Sequence, residues 1–202
     1  MTEFGDAVVV TGSSGQQFAK VNPGQFFVST KDIDIVTVLG SCVSACIRDP
    51  IMGVGGINHF MLPLGCEDRA ESWGGGPGAA GAVNRFGNYA MESLINSVMK
   101  AGGNRKRFEI KLFGGGRVLD ISADVGKTNV EFVLDYLQAE QLEVAAMDVG
   151  QEYARKLIYN PITGRARMKK LREIYNGRVA QTEKSLMETA AVPPPVGSVE
   201  LF

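Results

Sequence analysis

A thiol and an imidazole held within reach of each other can do nucleophilic chemistry, the imidazole taking the proton and the thiolate attacking a carbonyl carbon. This chain has one histidine, His59, and three cysteines, Cys42, Cys46 and Cys66. Cys42 is the cysteine that the local pattern can set against His59. The plain alternative stands beside this reading. A free cysteine usually behaves as a small buried hydrophobe, and a single histidine more often serves structure than catalysis.

The stretch TVLGSCVSACIRDPIMGVGGINHFMLP, residues 37–63, must do the positioning. Two arms with strand character flank Asp49-Pro50, a turn signal where the chain reverses. A four-residue loop from Asp49 to Met52 sets Arg48 opposite Gly53 and Cys42 opposite His59. Directly opposed residues have Cβ atoms ~4.5–5.5 Å apart on one face. One face then carries Val43, Ala45, Ile47, Val54, Phe60 and Leu62 and reads as core. The other carries Cys42, Ser44, Cys46, Gly55, Ile57 and His59, mostly small residues that leave room. A one-residue slip would reverse the faces of a strand, so the inference depends on the loop count.

Around this hairpin, strands are expected at 7–11, 26–29, 32–39, 108–113 and 142–149. A second hairpin is expected at 156–159 and 166–171, around Asn160-Pro161-Ile162-Thr163-Gly164. Asn84 is placed to cap a helix over 84–101 whose stripe of Phe86, Tyr89, Ala90, Leu94 and Val98 faces the core, ended by Gly102-Gly103. A second helix is expected over 122–140. Residues 65–81, with Trp73 and dense glycine, suit a loop, either a lid or partner surface or plain disorder. The expected organisation is one domain over 1–175 and a polar, proline-containing, weakly ordered tail over 176–202.

Composition excludes several classes. Hydrophobic residues make up 45% and charged residues 21%, a globular balance, and the net charge of −1 leaves no basic footprint for nucleic acid. No apolar run approaches the ~20 residues of a bilayer span. The acidic start MTEFGDAVVV is unlike a signal peptide, and an odd cysteine count suits reduced thiols, so a cytoplasmic protein is expected.

Other site chemistries fit less well. Gly126-Lys127-Thr128 looks like the end of a phosphate loop, but Ile121 stands where its first glycine is needed. Gly114-Gly115-Gly116 lacks the spacing of a dinucleotide fingerprint. Cys42, Cys46, His59 and Cys66 could supply four zinc ligands. On a strand, however, Cys42 and Cys46 lie ~13 Å apart, too far for one ion. Zinc is not the favoured reading.

The strings LGSCVSACIRDP, GGINHFMLP, NRFGNYAMESLI, KLFGGGRVL and NPITGRARMKKL, in this order across residues 20–172, resemble the CheD family of chemoreceptor glutamine deamidases. The resemblance implies an α/β fold, a sandwich of two stacked mixed β-sheets with helices packed on one side, carrying a papain-like deamidase site. It places the nucleophile on Cys42 and the base on His59. The family's third residue is a threonine expected six residues before the cysteine, where this chain has Val36. Thr37, one residue later, is the substitute, and on an unbroken strand that offset turns it to the other face unless a bulge restores it.

The activity implied is hydrolysis of glutamine side chains in methyl-accepting chemoreceptor cytoplasmic domains, giving glutamate and ammonia, with no metal or organic cofactor. Candidate oxyanion donors are the backbone N–H of Cys42 and of a neighbour near Gly40-Ser41. Such substrates are long helical bundles, so Cys42 is expected near the surface. Some members of the family bind the chemotaxis phosphatase CheC. That makes a CheC-type partner a further implication and a regulatory binding module the competing class. Peptidase or transglutaminase action is a further alternative.

Overall fold

The computed structural model describes residues 3–12, 15–62, 79–119, 124–171 and 173–190, with 79–85, 173–176 and 186–190 described by their backbone alone. The chain opens with β1 (Glu3–Gly5), β2 (Val8–Thr11), β3 (Gln17–Lys20), β4 (Phe26–Ser29) and β5 (Asp34–Leu39). The central hairpin is β6 (Val43–Asp49) and β7 (Val54–Asn58). Then follow α1 (Ala79–Lys100), β8 (Glu109–Gly114), α2 (Val125–Ala139) and β9 (Val144–Val149). A second hairpin, β10 (Arg155–Tyr159) and β11 (Ala166–Lys170), precedes α3 (Glu173–Ala190).

The strands form two mixed sheets. The first has the order β1-β4-β7-β6-β8-β9, antiparallel except where β8 and β9 run parallel with α2 as their crossover. The second has the order β11-β10-β5-β3-β2, antiparallel except for the parallel pair β3 and β5. The architecture is thus α/β with stacked sheets, as the resemblance implied. Helices α1 and α2 cover the outer face of the first sheet, where Val43, Ala45, Ile47, Val54, Phe60 and Leu62 pack with Met91, Leu94, Val98, Val133 and Leu137. The opposite face of the same hairpin meets the second sheet: Cys42, Cys46 and Ile57 pack with Ile35, Leu39, Leu157 and Tyr159. The face of small residues therefore does not stand open; it lies in the seam between the sheets.

The hairpin register differs from expectation by two residues. Asp49 pairs with Val54, Arg48 with Gly55 and Cys46 with Ile57, and Val43 bridges Phe60. The loop keeps four residues but starts one later, because Asp49 stays in the strand and its Oδ1 accepts from the N–H groups of Ile51 and Met52. Gly53 closes the loop at φ 61°, a left-handed value that suits glycine. A shift of two preserves which face each side chain occupies. Cys42 is consequently not directly opposite His59, although both remain on the seam side.

Two further expectations, both about α1, are corrected. Helix α1 begins at Ala79 rather than at Asn84, since the alanines at 79, 80 and 82 favour helix in a segment read only for its glycines. In its stripe Phe86 and Tyr89 are exposed, and Met91 and Ile95 join Leu94 and Val98 in the core. Residues 173–190, most of them assigned to a weakly ordered tail, form α3. The 65–78 loop, Trp73, Cys66 and residues 191–202 lie outside the described residues.

Candidate active site

Thr37 sits on β5, where alternation turns Ile35, Thr37 and Leu39 into the seam. Its Oγ1 lies 2.8 Å from the Val21 carbonyl oxygen and 2.8 Å from His59 Nδ1. A hydroxyl has one proton, and a carbonyl only accepts. The Thr37 proton therefore goes to Val21, and Nδ1–H of His59 donates to Oγ1. This sets the tautomer: Nε2 carries the lone pair. Nε2 is buried and has no hydrogen-bond partner among the described residues.

His59 follows β7, but its backbone belongs to the β3–β4 connection. Its N–H donates to Gln25 O at 2.9 Å, and its carbonyl accepts from Gly24 N–H at 2.8 Å. The ladder with β6 is interrupted here. The Asn58 side chain fills the gap, accepting from Ala45 N–H at 2.8 Å and donating to the Ala90 carbonyl at 3.1 Å. The imidazole is thereby held from both sheets.

Cys42 lies between β5 and β6, in a loop whose backbone is fully accounted for. The carbonyls of Gly40, Ser41 and Cys42 accept from Gly116 N–H at 2.7 Å, Asn129 Nδ2 at 2.8 Å and Gly115 N–H at 2.7 Å. Asn129 also accepts from Leu62 N–H at 2.8 Å, so α2 ties the nucleophile loop to the strand end beyond His59. The glycine run is indispensable to this approach. Gly114 has φ 115°, and a Cβ there would stand 2.1 Å from Cys42 O. Gly126, which opens the Gly-Lys-Thr run, packs its backbone on Gly115 rather than cradling a phosphate; a Cβ there would stand 2.5 Å from the Gly115 oxygen.

The three N–H groups of the same loop converge on a carboxylate that the sequence did not point to, Glu183 of α3. Gly40 N–H and Cys42 N–H donate to Oε1 at 3.0 and 3.3 Å, and Ser41 N–H donates to Oε2 at 2.8 Å. Ser41 Oγ–H adds a bond to Oε2 at 2.6 Å. Successive backbone donors of this kind form an anion-binding nest. Ligand atoms of Cys42, His59 and Glu183 lie within 4.8 Å of one another, a spacing that would suit a metal. The carboxylate, however, is already bonded by four donors in a nest built for negative charge, which disfavours a cation there. A zinc set that includes Cys46 gains no support, because Cys46 is two seam positions further along the hairpin face, packed among core residues.

The site is closed to solvent. Cys42 is 0%, His59 2% and Glu183 2% exposed, contrary to the expected surface position of Cys42. Burial pushes the Cys42 thiol well above its ordinary range, and the charge and hydrogen bonding of Glu183 push in the same direction. Burial lowers the His59 imidazole to about 4, against the opposing pull of Glu183. The resting pair is a neutral thiol beside a neutral imidazole.

The sequence-predicted residues Cys42, His59 and Thr37 thus meet at one place. Sequence reasoning missed Glu183, Asn129, Asn58 and the use of Gly114–Gly116. The glycine run was visible as a run, but nothing in the amino-acid pattern ties it to residues 40–42.

A model of the family described as CheD chemotactic sensory transduction matches residues 70–170. The chain is 43% identical over 183 residues to the "Probable chemoreceptor glutamine deamidase CheD" of Hydrogenovibrio crunogenus, covering 91% of this chain and 93% of that protein. It is 48% identical over 184 residues to the protein of the same name from Halorhodospira halophila, covering 91% and 84%. A third relative of that name, from Saccharophagus degradans, is 46% identical over 188 residues, covering 91% and 84%.

Proposed function

The chain belongs to the CheD family, and from that premise we propose that it hydrolyses glutamine side chains of methyl-accepting chemoreceptors to glutamate and ammonia. Cys42 is the nucleophile, His59 the general base and then acid, and Thr37 the residue that positions His59. The observation that carries this reading is the hydrogen-bond order Val21 O, Thr37 Oγ1, His59 Nδ1, which leaves Nε2 as the free base of a ring that has a nitrogen within 4.8 Å of the Cys42 sulfur.

The chemistry runs in two halves. His59 Nε2 takes the Cys42 proton, and the thiolate attacks the amide carbon. The oxyanion is received by the N–H groups of the 40–42 loop, donors already in place before reaction. The tetrahedral intermediate collapses with cleavage of the C–N bond, and Nε2–H protonates the departing ammonia. Water then gives a proton to Nε2 and its oxygen to the thioester carbonyl, releasing glutamate and restoring the thiol. Every step uses groups of this chain and water. The product replaces a neutral amide with a carboxylate and changes the charge pattern of the receptor. The substrate being the receptor's cytoplasmic domain, the protein would work in the cytoplasm; no described helix is long and apolar enough to cross a membrane.

The test is ammonia release from a purified receptor cytoplasmic fragment, with the intact mass of the fragment followed alongside. Deamidation adds about one mass unit per event to an uncut chain, whereas peptidase action shortens it and transglutaminase action joins chains. Ammonia release that persists in Cys42→Ala would remove the assignment. No release by the intact protein or by a variant with an opened site would favour a regulatory binding module.

A further inference from the structure

Glu183 is not an orienting acid for His59; that place is taken by Thr37. Its carboxylate is bound where the proposed mechanism needs the substrate's carbonyl oxygen, on the N–H groups of Gly40, Ser41 and Cys42. The reaction product is itself a glutamate side chain, and Glu183 is a glutamate side chain presented by a helix. We propose that Glu183 is an internal product mimic, that the 40–42 nest with Ser41 Oγ is the subsite for the side-chain amide or carboxylate group, and that α3 must withdraw Glu183 before a receptor glutamine can enter.

Three independent features agree with this. Gly40 is shaped to the occupant: a Cβ there would stand 2.8 and 2.9 Å from the two Glu183 oxygens. The surroundings of Glu183 in α3 are mostly exposed, Gln181, Thr182, Lys184 and Ser185 among them, while Glu183 alone of this group is buried. Among the side chains described in α3, residues 177–185, the buried one is Glu183, and its contact with the 40–42 loop is polar, a form of contact that can be exchanged for another carboxylate or amide. Glu183 also opposes thiolate formation at Cys42 through its charge, so its departure both frees the subsite and eases activation of the nucleophile.

The proposal rests on the deamidase reading, and two experiments keep the two separable. In the full-length Glu183→Gln protein the mimic becomes a substrate analogue already seated in the subsite. Cys42 attacks the amide carbon of the introduced glutamine, ammonia leaves with a proton from His59, and water hydrolyses the thioester to regenerate Glu183. Peptide mass mapping is expected to show residue 183 converted to glutamate with time after synthesis, and retained as glutamine in Glu183→Gln/Cys42→Ala. Separately, iodoacetamide labelling of the Cys42 peptide, which needs no catalysis, is expected to be about tenfold or more faster in Glu183→Ala than in wild type. Thermal unfolding of each variant checks that the fold persists. Unchanged Cys42 labelling in a folded Glu183→Ala protein overturns the mimic, even if receptor deamidation is found. Faster labelling with the introduced glutamine left unconverted upholds the plug but overturns its identity with the substrate subsite.

Discussion

Thr37 lies on β5 of the second sheet and His59 directly follows β7 of the first, and their side chains meet across the seam at 2.8 Å. The Val21 carbonyl, reached by the same hydroxyl, decides which way the hydrogen bond runs. The backbone carbonyl that follows β3 thus determines which nitrogen of the imidazole that follows β7 is basic. The one-residue offset of Thr37 within the sequence pattern is immaterial in space. Alternation along β5 already turns residue 37 into the seam, and no bulge is needed.

Thr37→Val keeps the shape of the side chain but removes the acceptor for Nδ1–H and the donor to Val21. The imidazole is then free to rotate or change tautomer. We expect the turnover number to fall about tenfold to a hundredfold, with a smaller change in KM. Thr37→Ser should restore most of the loss, because the same two hydrogen bonds can form. Steady-state kinetics on a receptor fragment, with the three proteins side by side, provide the check. Equal loss in Ser and Val would contradict a positioning role.

Gly114→Ala should damage the nucleophile loop from behind. The added methyl group would meet Cys42 O at 2.1 Å in a backbone conformation, φ 115°, that alanine resists. The cost is on the order of 1–3 kcal/mol of stability, with displacement of residues 40–42. Denaturant unfolding measures the first, and loss of receptor deamidation out of proportion to the stability loss measures the second.

Asn129→Ala removes the bond to Ser41 O and leaves Leu62 N–H without its acceptor. Two buried backbone groups lose their partner, each at about 1–3 kcal/mol when left unsatisfied. A clear drop in the unfolding midpoint is expected, together with weaker activity. Asn129→Asp would keep the acceptor for Leu62 but repel Ser41 O, and should be no better.

Stability should depend on acid through His59. Its folded-state pKa is lowered to about 4 from an ordinary 6.5 because the ring is buried. The unfolded chain therefore takes up a proton first as the pH falls. The contribution is fully present above the ordinary value, is lost between about 6.5 and 4, and amounts to on the order of 3 kcal/mol. His59 is the sole histidine of the chain, so no other imidazole titrates in that window. Urea unfolding between about pH 7 and pH 5 should show this slope in wild type and a flatter dependence in His59→Gln.

Much of this site was legible in the amino-acid pattern. The hairpin, its two faces and the placing of Cys42 and His59 on the same face followed from side-chain alternation, while their direct opposition did not hold, because the register is shifted by two residues. The reach across sheets was not legible, because nothing in residues 32–39 says which face of another sheet they will oppose. The glycine run 114–116 was visible, but its purpose is a close approach to Cys42 O between segments about 70 residues apart in the chain. Glu183 left no trace in the sequence. It is one acidic residue in a polar helix without a pronounced apolar stripe, and its burial depends on three N–H groups turned toward it by contacts made elsewhere.

The most direct test of the central claim is peptide mass mapping of a receptor cytoplasmic fragment after incubation with the protein. Wild type and Glu183→Ala should be run beside Cys42→Ala and His59→Ala. The account predicts glutamine-to-glutamate conversion at defined positions, faster with Glu183→Ala and lost in both the Cys42 and His59 variants. Conversion that survives loss of Cys42, or no conversion by wild type and Glu183→Ala with both folded, would contradict it.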